Sequence, residues 1–135
     1  MTYDEFTGHV QHRARLGTTG EAVKAIRATL ETLAERLDAG EAKDLASQLP
    51  EEIGIYLRKD FGAKGERFDL NEFFSRVSLR EQMDLPVAVY HARVVIEVLQ
   101  EAVSPGEIND VIQQLPPEFS SLFLAGSTGE MARRD

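Results

Sequence analysis

The sequence repeats itself at a spacing of 66 residues, and this repeat constrains the fold more than any other feature. Residues 30–57 and 96–123 share 10 identities in 28 aligned positions, and most other pairs match one apolar residue with another. Both copies contain Gly-Glu-x-x-Asp followed by Gln-Leu-Pro-x-Glu. A match of this kind indicates one structural unit used twice.

Helix-start signals occur at matching places in the two halves of the chain. At two of these starts in each half a capping residue precedes a glutamate by three positions, a spacing typical of a capping box. The pairs are Thr2 with Glu5, Asp38 with Glu41, Asp69 with Glu72, and Ser104 with Glu107. Apolar residues then recur every three or four positions, and no stretch alternates as a strand would. The sequence predicts an all-α fold, a helical bundle built from two homologous four-helix repeats sharing one core.

The predicted organisation is a single domain with a short tail. A chain of 135 residues is near the usual size of one domain. We expect one all-helical domain over residues 1–125, with repeat 1 at about 2–60 and repeat 2 at about 68–125. Residues 126–135 are small, polar and charged, which is typical of a flexible C-terminal tail.

Composition narrows the classes of function. The chain has no cysteine, so disulfides and thiolate metal sites are excluded. The net charge of −8 repels phosphate backbones and disfavours nucleic-acid binding. No apolar run is long enough to span a bilayer, and the N-terminus lacks the pattern of a secretory signal, so we expect a cytoplasmic protein without a membrane partner.

The doubled Gly-Glu-x-x-Asp and Gln-Leu-Pro pattern, with a Phe-containing first helix before each copy, resembles a prokaryotic family catalogued as domain of unknown function 2267. The resemblance covers roughly Tyr3–Leu124. It implies an all-helical protein without assigned activity, and it offers no catalytic residues to transfer. The residues that form the structural motif are Gly40, Glu41, Asp44, Gln48, Leu49, Pro50, Gly106, Glu107, Asp110, Gln114, Leu115 and Pro116.

Two histidines are the candidate metal ligands. His9 and His12 lie three residues apart on the first predicted helix, where Asp4 or Glu5 offers a carboxylate. Imidazole and carboxylate ligands suit several divalent metals. The signal is weak because no third ligand is clear, and surface histidines explain the pattern better. We expect no cofactor.

Structural roles are predicted for several other polar residues. Gln48 and Gln114 are expected to satisfy carbonyls left unpaired at their own helix ends. Arg27 with Asp44, and the equivalent pair in the second copy, suggest an ion pair inside each half. His91 is interpreted as a partly exposed or hydrogen-bonded structural histidine, in preference to a buried base.

Four carboxylates on the long helices are predicted to form solvated helix faces. A di-metal bundle would need Glu-x-x-His pairs facing inward, and these are absent. The four residues are Glu31, Glu35, Glu97 and Glu101.

No catalytic constellation emerges from the sequence, which favours a non-catalytic protein. The leading hypothesis is an interaction module that binds a protein partner or itself through a groove between the halves. The alternative is a weak metal- or small-molecule-binding protein that uses His9, His12 and nearby carboxylates.

Overall fold

The computed structural model describes residues 1–58 and 65–124, and in these segments the chain forms eight α-helices, one 3₁₀ helix and no strand. The predicted all-α class is confirmed. The predicted tail at 126–135 and residues 59–64 lie outside the described residues. The helices are α1 Tyr3–Arg13, α2 Thr19–Arg36, α3 Ala39–Ser47, α4 Glu51–Arg58, α5 Leu70–Glu81, α6 Leu85–Ala102, α7 Pro105–Gln113, the 3₁₀ helix Pro117–Phe119 and α8 Ser120–Leu124.

Local capping chemistry explains where the helices begin. The Thr2 hydroxyl accepts a hydrogen bond from the Glu5 N–H at 3.1 Å, and the Glu5 carboxylate accepts one from the Thr2 N–H at 2.8 Å. This is the predicted capping box, in which two backbone donors are satisfied reciprocally. α5 ends at Glu81 because Gln82 takes a left-handed conformation with φ 60°.

Four helices form a central bundle. The long helices α2 and α6 pack against each other, and both α1 and α5 lie against each of them. The shorter helices pack beside this bundle, with α4 on α2 and α3, and α8 on α6. α3 and α7 contact each other directly.

The buried apolar side chains form one cluster with members from every α-helix of the described residues. Phe6 and Phe73, which occupy matching positions in α1 and α5, are both fully buried. Phe73 meets Phe119 edge to face, with ring centroids 5.9 Å apart. Burying an aromatic side chain of this size contributes about 1.5–3 kcal/mol, so these rings anchor the outer helices to the core.

The last helix differs between the two halves. α4 is continuous, whereas the second half has a 3₁₀ turn that begins at Pro117 and is followed by the short α8. Gly54 lets α4 approach α3, because a Cβ there would meet the Ala46 carbonyl oxygen at 2.9 Å. Ser120 stands at the matching position, and α8 packs on α6.

Candidate functional site

The repeated motif brings α3 and α7 together, and each helix start is bonded by the glutamine that follows the other helix. The Ser104 N–H donates to Gln48 Oε1 at 2.8 Å. The Asp38 N–H donates to Gln114 Oε1 at 3.4 Å. The glutamines therefore bond across the junction, and not to carbonyls of their own helix ends as predicted, because the two helices face each other.

Three carboxylates meet at this junction. Ligand oxygens of Glu41, Glu107 and Asp110 all lie within 4.8 Å of one another. Glu107 is 8% exposed, Glu41 is partly buried and Asp110 is exposed. The Gln114 side-chain amide donates to Glu41 Oε1 at 3.3 Å. We call these three residues the junction carboxylates.

Two of the carboxylate oxygens are buried without a partner. Oε2 of Glu41 and Oε2 of Glu107 accept no hydrogen bond from any residue in the described segments. A buried carboxylate oxygen without a donor is destabilising, and binding of a proton or a cation would stabilise it. The chemistry open to this cluster is therefore proton sharing or cation binding.

The ionisation of Glu107 reflects this crowding. Burial raises the pKa of Glu107 to about 8, and the close approach of the Glu41 carboxyl group adds to the rise. The nearby charges of Glu41, Asp44 and Asp110 act in the same direction. Like charges around a buried carboxyl group disfavour its charged form.

At the starts of α3 and α7, the backbone N–H of the motif glutamate is capped as predicted, but its side chain does not complete a capping box. The Asp38 side chain accepts from the Glu41 N–H at 2.8 Å, and the Ser104 hydroxyl accepts from the Glu107 N–H at 3.2 Å. These bonds start α3 and α7 as expected. The glutamate side chains, however, lie toward each other at the junction, so the predicted box is only half formed.

The other motif residues lie in the core or at the ends of α3 and α7. Leu49 and Leu115 are buried at 8% exposure and belong to the core. Pro50 and Pro116 follow them and end the third helix of each half. Gly40 and Gly106 lie exposed in the first turns of α3 and α7.

The proposed ion pair between Arg27 and Asp44 is wrong. Arg27 Nε lies 2.8 Å from Glu31 Oε2, four residues along the same helix. Asp44 is exposed on α3.

The predicted solvated faces are also wrong for three of the four carboxylates. Glu31, Glu35 and Glu97 are buried at 5%, 7% and 6% exposure. Glu101 has 44% of its side chain exposed. The reason is that arginines from neighbouring helices cover them, which one helix read alone does not show.

These arginines connect the two halves of the chain. Arg80 on α5 binds both oxygens of Glu35 on α2, at 2.9 and 2.6 Å. Arg13 on α1 binds both oxygens of Glu101 on α6, at 2.7 and 2.8 Å. Arg13 also reaches Glu97 at 2.9 Å. Each first helix therefore pairs with the long helix of the other half.

The arginines set the ionisation of the acids that they contact. Burial alone raises the pKa of Glu35, but hydrogen bonds and charges from Arg80 and Arg76 outweigh it and hold that pKa below its usual value. The hydrogen bond from Arg13 lowers the pKa of Glu101. Charge-assisted bidentate pairs of this kind are among the stronger polar contacts in proteins.

The structure does not bring His9 and His12 together with a third ligand. Both side chains are exposed on α1. Within residues 1–58 and 65–124, the one group of three potential ligand residues is the junction carboxylates, which include neither histidine.

His91 has a buried acidic partner. The side chain is 4% exposed, and its Nδ1 contacts Glu81 Oε2, which is also buried. This agrees with the predicted hydrogen-bonded structural histidine.

Sequence reasoning identified Glu41 and Glu107 as motif residues but missed that they meet. The available signal was that both copies have glutamate at this position, whereas other residues of the same helical turn differ between the copies. A capping box explains each glutamate by local hydrogen bonds alone, so the sequence gives no reason to expect contact between them.

No helix of the described segments is long and apolar enough to cross a membrane. A search of curated proteins finds no match to the chain. A family model described as "Uncharacterized conserved protein (DUF2267)" matches residues 3–122, which confirms the predicted resemblance. Because this match spans most of the sequence, the chain belongs to the DUF2267 family.

Proposed function

We propose that the protein is a non-catalytic helical module of the cytoplasm that self-associates through an exposed apolar surface. This surface, the corner surface, consists of Leu79, Met83, Leu85 and Val87, at or near the connection between α5 and α6. Their exposures are 79%, 39%, 47% and 38%. Exposed apolar residues grouped in this way often mark an interaction site.

The charge around the corner surface supports a second copy of the chain as the partner. Residues 82–92, which include three of its four members, contain one acidic residue, Asp84, and Lys24 on α2 donates to Gln82 at 3.0 Å. This part of the surface therefore lacks the acidic excess of a chain of net charge −8. An apolar surface is complementary to itself, as a two-fold contact requires. The acidic charge elsewhere opposes both close approach of other faces and binding of a nucleic acid.

We also propose that the two halves are homologous four-helix repeats in one domain. Reciprocal contacts support this, since Arg13 and Arg80 each cross to the other half, as do Gln48 and Gln114. Helix α1 packs on α6, and α2 packs on both α5 and α6, with the buried apolar residues of both halves in one cluster. Thermal unfolding is therefore expected as a single cooperative transition, and two separate transitions would contradict the shared core.

The test of self-association is molar mass measured against protein concentration, by light scattering or sedimentation equilibrium. Wild type is expected to form dimers as concentration rises, and more readily at high salt, because salt screens the repulsion between two acidic chains. Leu79→Glu is expected to abolish the increase in mass. The matched control is Ile55→Glu, an apolar side chain of 42% exposure on α4, which should dimerise as wild type does.

Two results would overturn the proposal. One is a wild type that stays monomeric at high concentration and high salt, which would leave a different protein as the occupant of the corner surface. The other is an equal loss of association in Leu79→Glu and Ile55→Glu, which would show that the added charge matters and the surface does not.

A further inference from the structure

We propose that the junction carboxylates bind one divalent cation of the size of Ca²⁺ between α3 and α7. The site uses Glu41 from the first half of the chain and Glu107 and Asp110 from the second. It does not involve the corner surface, so it is independent of the proposed self-association.

The burial of Glu107 distinguishes this cluster from a group of acidic residues on an ordinary protein surface. Glu107 is more than nine-tenths buried, and its Oε2 has no hydrogen-bond donor among the described residues. The Oε2 of Glu41 is buried in the same unpartnered state. Carboxylate repulsion normally turns such side chains out to water, so a native state that keeps them together gains from a positive charge between them.

The donor atoms indicate the class of cation. All three ligands are carboxylate oxygens, without imidazole or thiolate, and oxygen ligands suit Ca²⁺, Mg²⁺ and Mn²⁺. Two oxygens bound to one ion lie at most two bond lengths apart. That limit is about 4.8 Å for Ca²⁺ with bonds of about 2.4 Å, but only about 4.2 Å for Mg²⁺.

All three ligand oxygens lie within the limit for Ca²⁺, which therefore fits the site. Mg²⁺ needs closer oxygens and near-ideal octahedral geometry, so it is expected to bind less well. Three carboxylates supply fewer ligands than the six to eight oxygens that Ca²⁺ takes, so water molecules complete its shell. A site of this kind with an exposed member, Asp110, is expected to exchange its ion readily.

The position of the site gives the ion a structural effect. Glu41 follows the start of α3 and Glu107 the start of α7, so a bound ion joins the two halves at a contact that is otherwise held by glutamine bonds. An ion that binds the native state and not the unfolded chain raises the melting temperature by mass action.

The experiment is titration of chelator-treated full-length protein with CaCl₂, MgCl₂ and MnCl₂, followed by calorimetry and by thermal unfolding. Wild type should bind one Ca²⁺ per chain, with a saturable rise in Tm, and should bind Mg²⁺ more weakly. Glu107→Gln should weaken Ca²⁺ binding by roughly 10- to 100-fold. This variant is expected to fold, because it removes one charge from a repelling group and adds an amide donor for Glu41.

The matched control is Asp44→Asn, which removes the same charge from α3 at the repeat position that corresponds to Asp110. Asp44 is close enough to act on Glu107 through its charge, but it is not one of the three ligand residues. Asp110→Asn should weaken Ca²⁺ binding by at least roughly 10-fold. Asp44→Asn should weaken it clearly less, because Asp44 contributes charge but no ligand oxygen.

Each contrary result overturns the cation site. Absence of saturable binding of any of the three ions to wild type at millimolar concentration would leave a proton shared by Glu41 and Glu107 as the occupant. Equal weakening in Asp44→Asn and Asp110→Asn would reduce the effect to general attraction of cations by an acidic surface.

The proposed self-association is tested separately by the molar mass of Glu107→Gln. A mass that still rises with concentration in this variant would show that self-association does not depend on the cation site.

Discussion

Replacing Arg80 by methionine should be strongly destabilising, because this arginine neutralises buried acids that belong to the other half of the chain. Its guanidinium group donates to both oxygens of Glu35 at 2.9 and 2.6 Å and to the Thr32 hydroxyl at 2.7 Å. Its Nε lies 3.6 Å from Glu31 Oε1. Methionine keeps most of the apolar length of the side chain but none of these donors.

The size of the loss in stability depends on the partners that Glu35 and Glu31 keep in the variant. Removal of one partner of a buried ion pair costs about 3–5 kcal/mol when the other charge is left alone. Here Glu35 Oε1 keeps Arg76 at 3.1 Å and Glu31 keeps Arg27 at 2.8 Å, while Glu35 Oε2 loses a close donor. We therefore expect a loss of about 2–3 kcal/mol in the free energy of unfolding, which corresponds to a fall in Tm of about 10 °C for a chain of this size.

Urea denaturation at neutral pH, followed by helical circular dichroism, measures this loss. The control is Arg58→Met, because Arg58 pairs with Glu51, whose side chain is 76% exposed, and surface pairs contribute about 0–1 kcal/mol. Adding Glu35→Gln to Arg80→Met completes a double-mutant cycle, in which the two changes should be coupled by at least about 1 kcal/mol. An Arg80→Met variant no less stable than Arg58→Met would refute the argument that these acids need the cross-half arginine.

Three further predictions test other contacts by urea denaturation. Gly54→Ala should destabilise by at least about 1 kcal/mol because its Cβ meets backbone of α3, whereas Gly8→Ala, with open space around it, should stabilise α1 by up to about 1 kcal/mol. Stability changes of the same sign in Gly54→Ala and Gly8→Ala would contradict the close packing of α4 on α3. Gln48→Ala should cost about 0.5–1.5 kcal/mol by removing the acceptor at the start of α7, and an unchanged stability would argue that water replaces the amide. Because Arg13 lowers the pKa of Glu101, their pairing stabilises the fold above the unfolded carboxyl pKa of about 4.3 and is lost as pH falls through the lower folded value. The stability difference between wild type and Arg13→Met should therefore shrink on acidification below about pH 4, and a difference independent of pH would contradict the pairing.

Helix starts could be predicted from the sequence because they depend on a few neighbouring residues. The Thr2 and Glu5 box is complete in the structure, and Asp69 accepts from the Glu72 N–H at 2.8 Å. The apolar positions Phe6 and Phe73 could be predicted for a related reason, since spacing along one helix fixes which side chains share a face. Both kinds of inference need no knowledge of the neighbouring helix.

The polar contacts could not be predicted, because their partners are distant in the sequence. Arg80 and Glu35 are separated by 45 residues, and Gln48 and Ser104 by 56. A glutamate on a helix looks solvated until the arginine that covers it is placed, so the sequence pattern of Glu35 resembled that of a surface residue. The distance between Glu41 and Glu107 likewise depends on how two helices cross.

The proposed duplication explains why the acids at the α3–α7 contact lack donors. When two copies of one unit pack around an approximate two-fold axis, a residue near the axis meets its own counterpart, and residues away from it form two equivalent cross contacts. Gln48 and Gln114 follow the second pattern, each reaching the opposite helix start. Glu41 and Glu107 follow the first, so a carboxylate faces a carboxylate and cannot supply the donor that the other needs. A proton or a cation must then come from solvent, and titration of the wild-type protein with Ca²⁺ distinguishes the two.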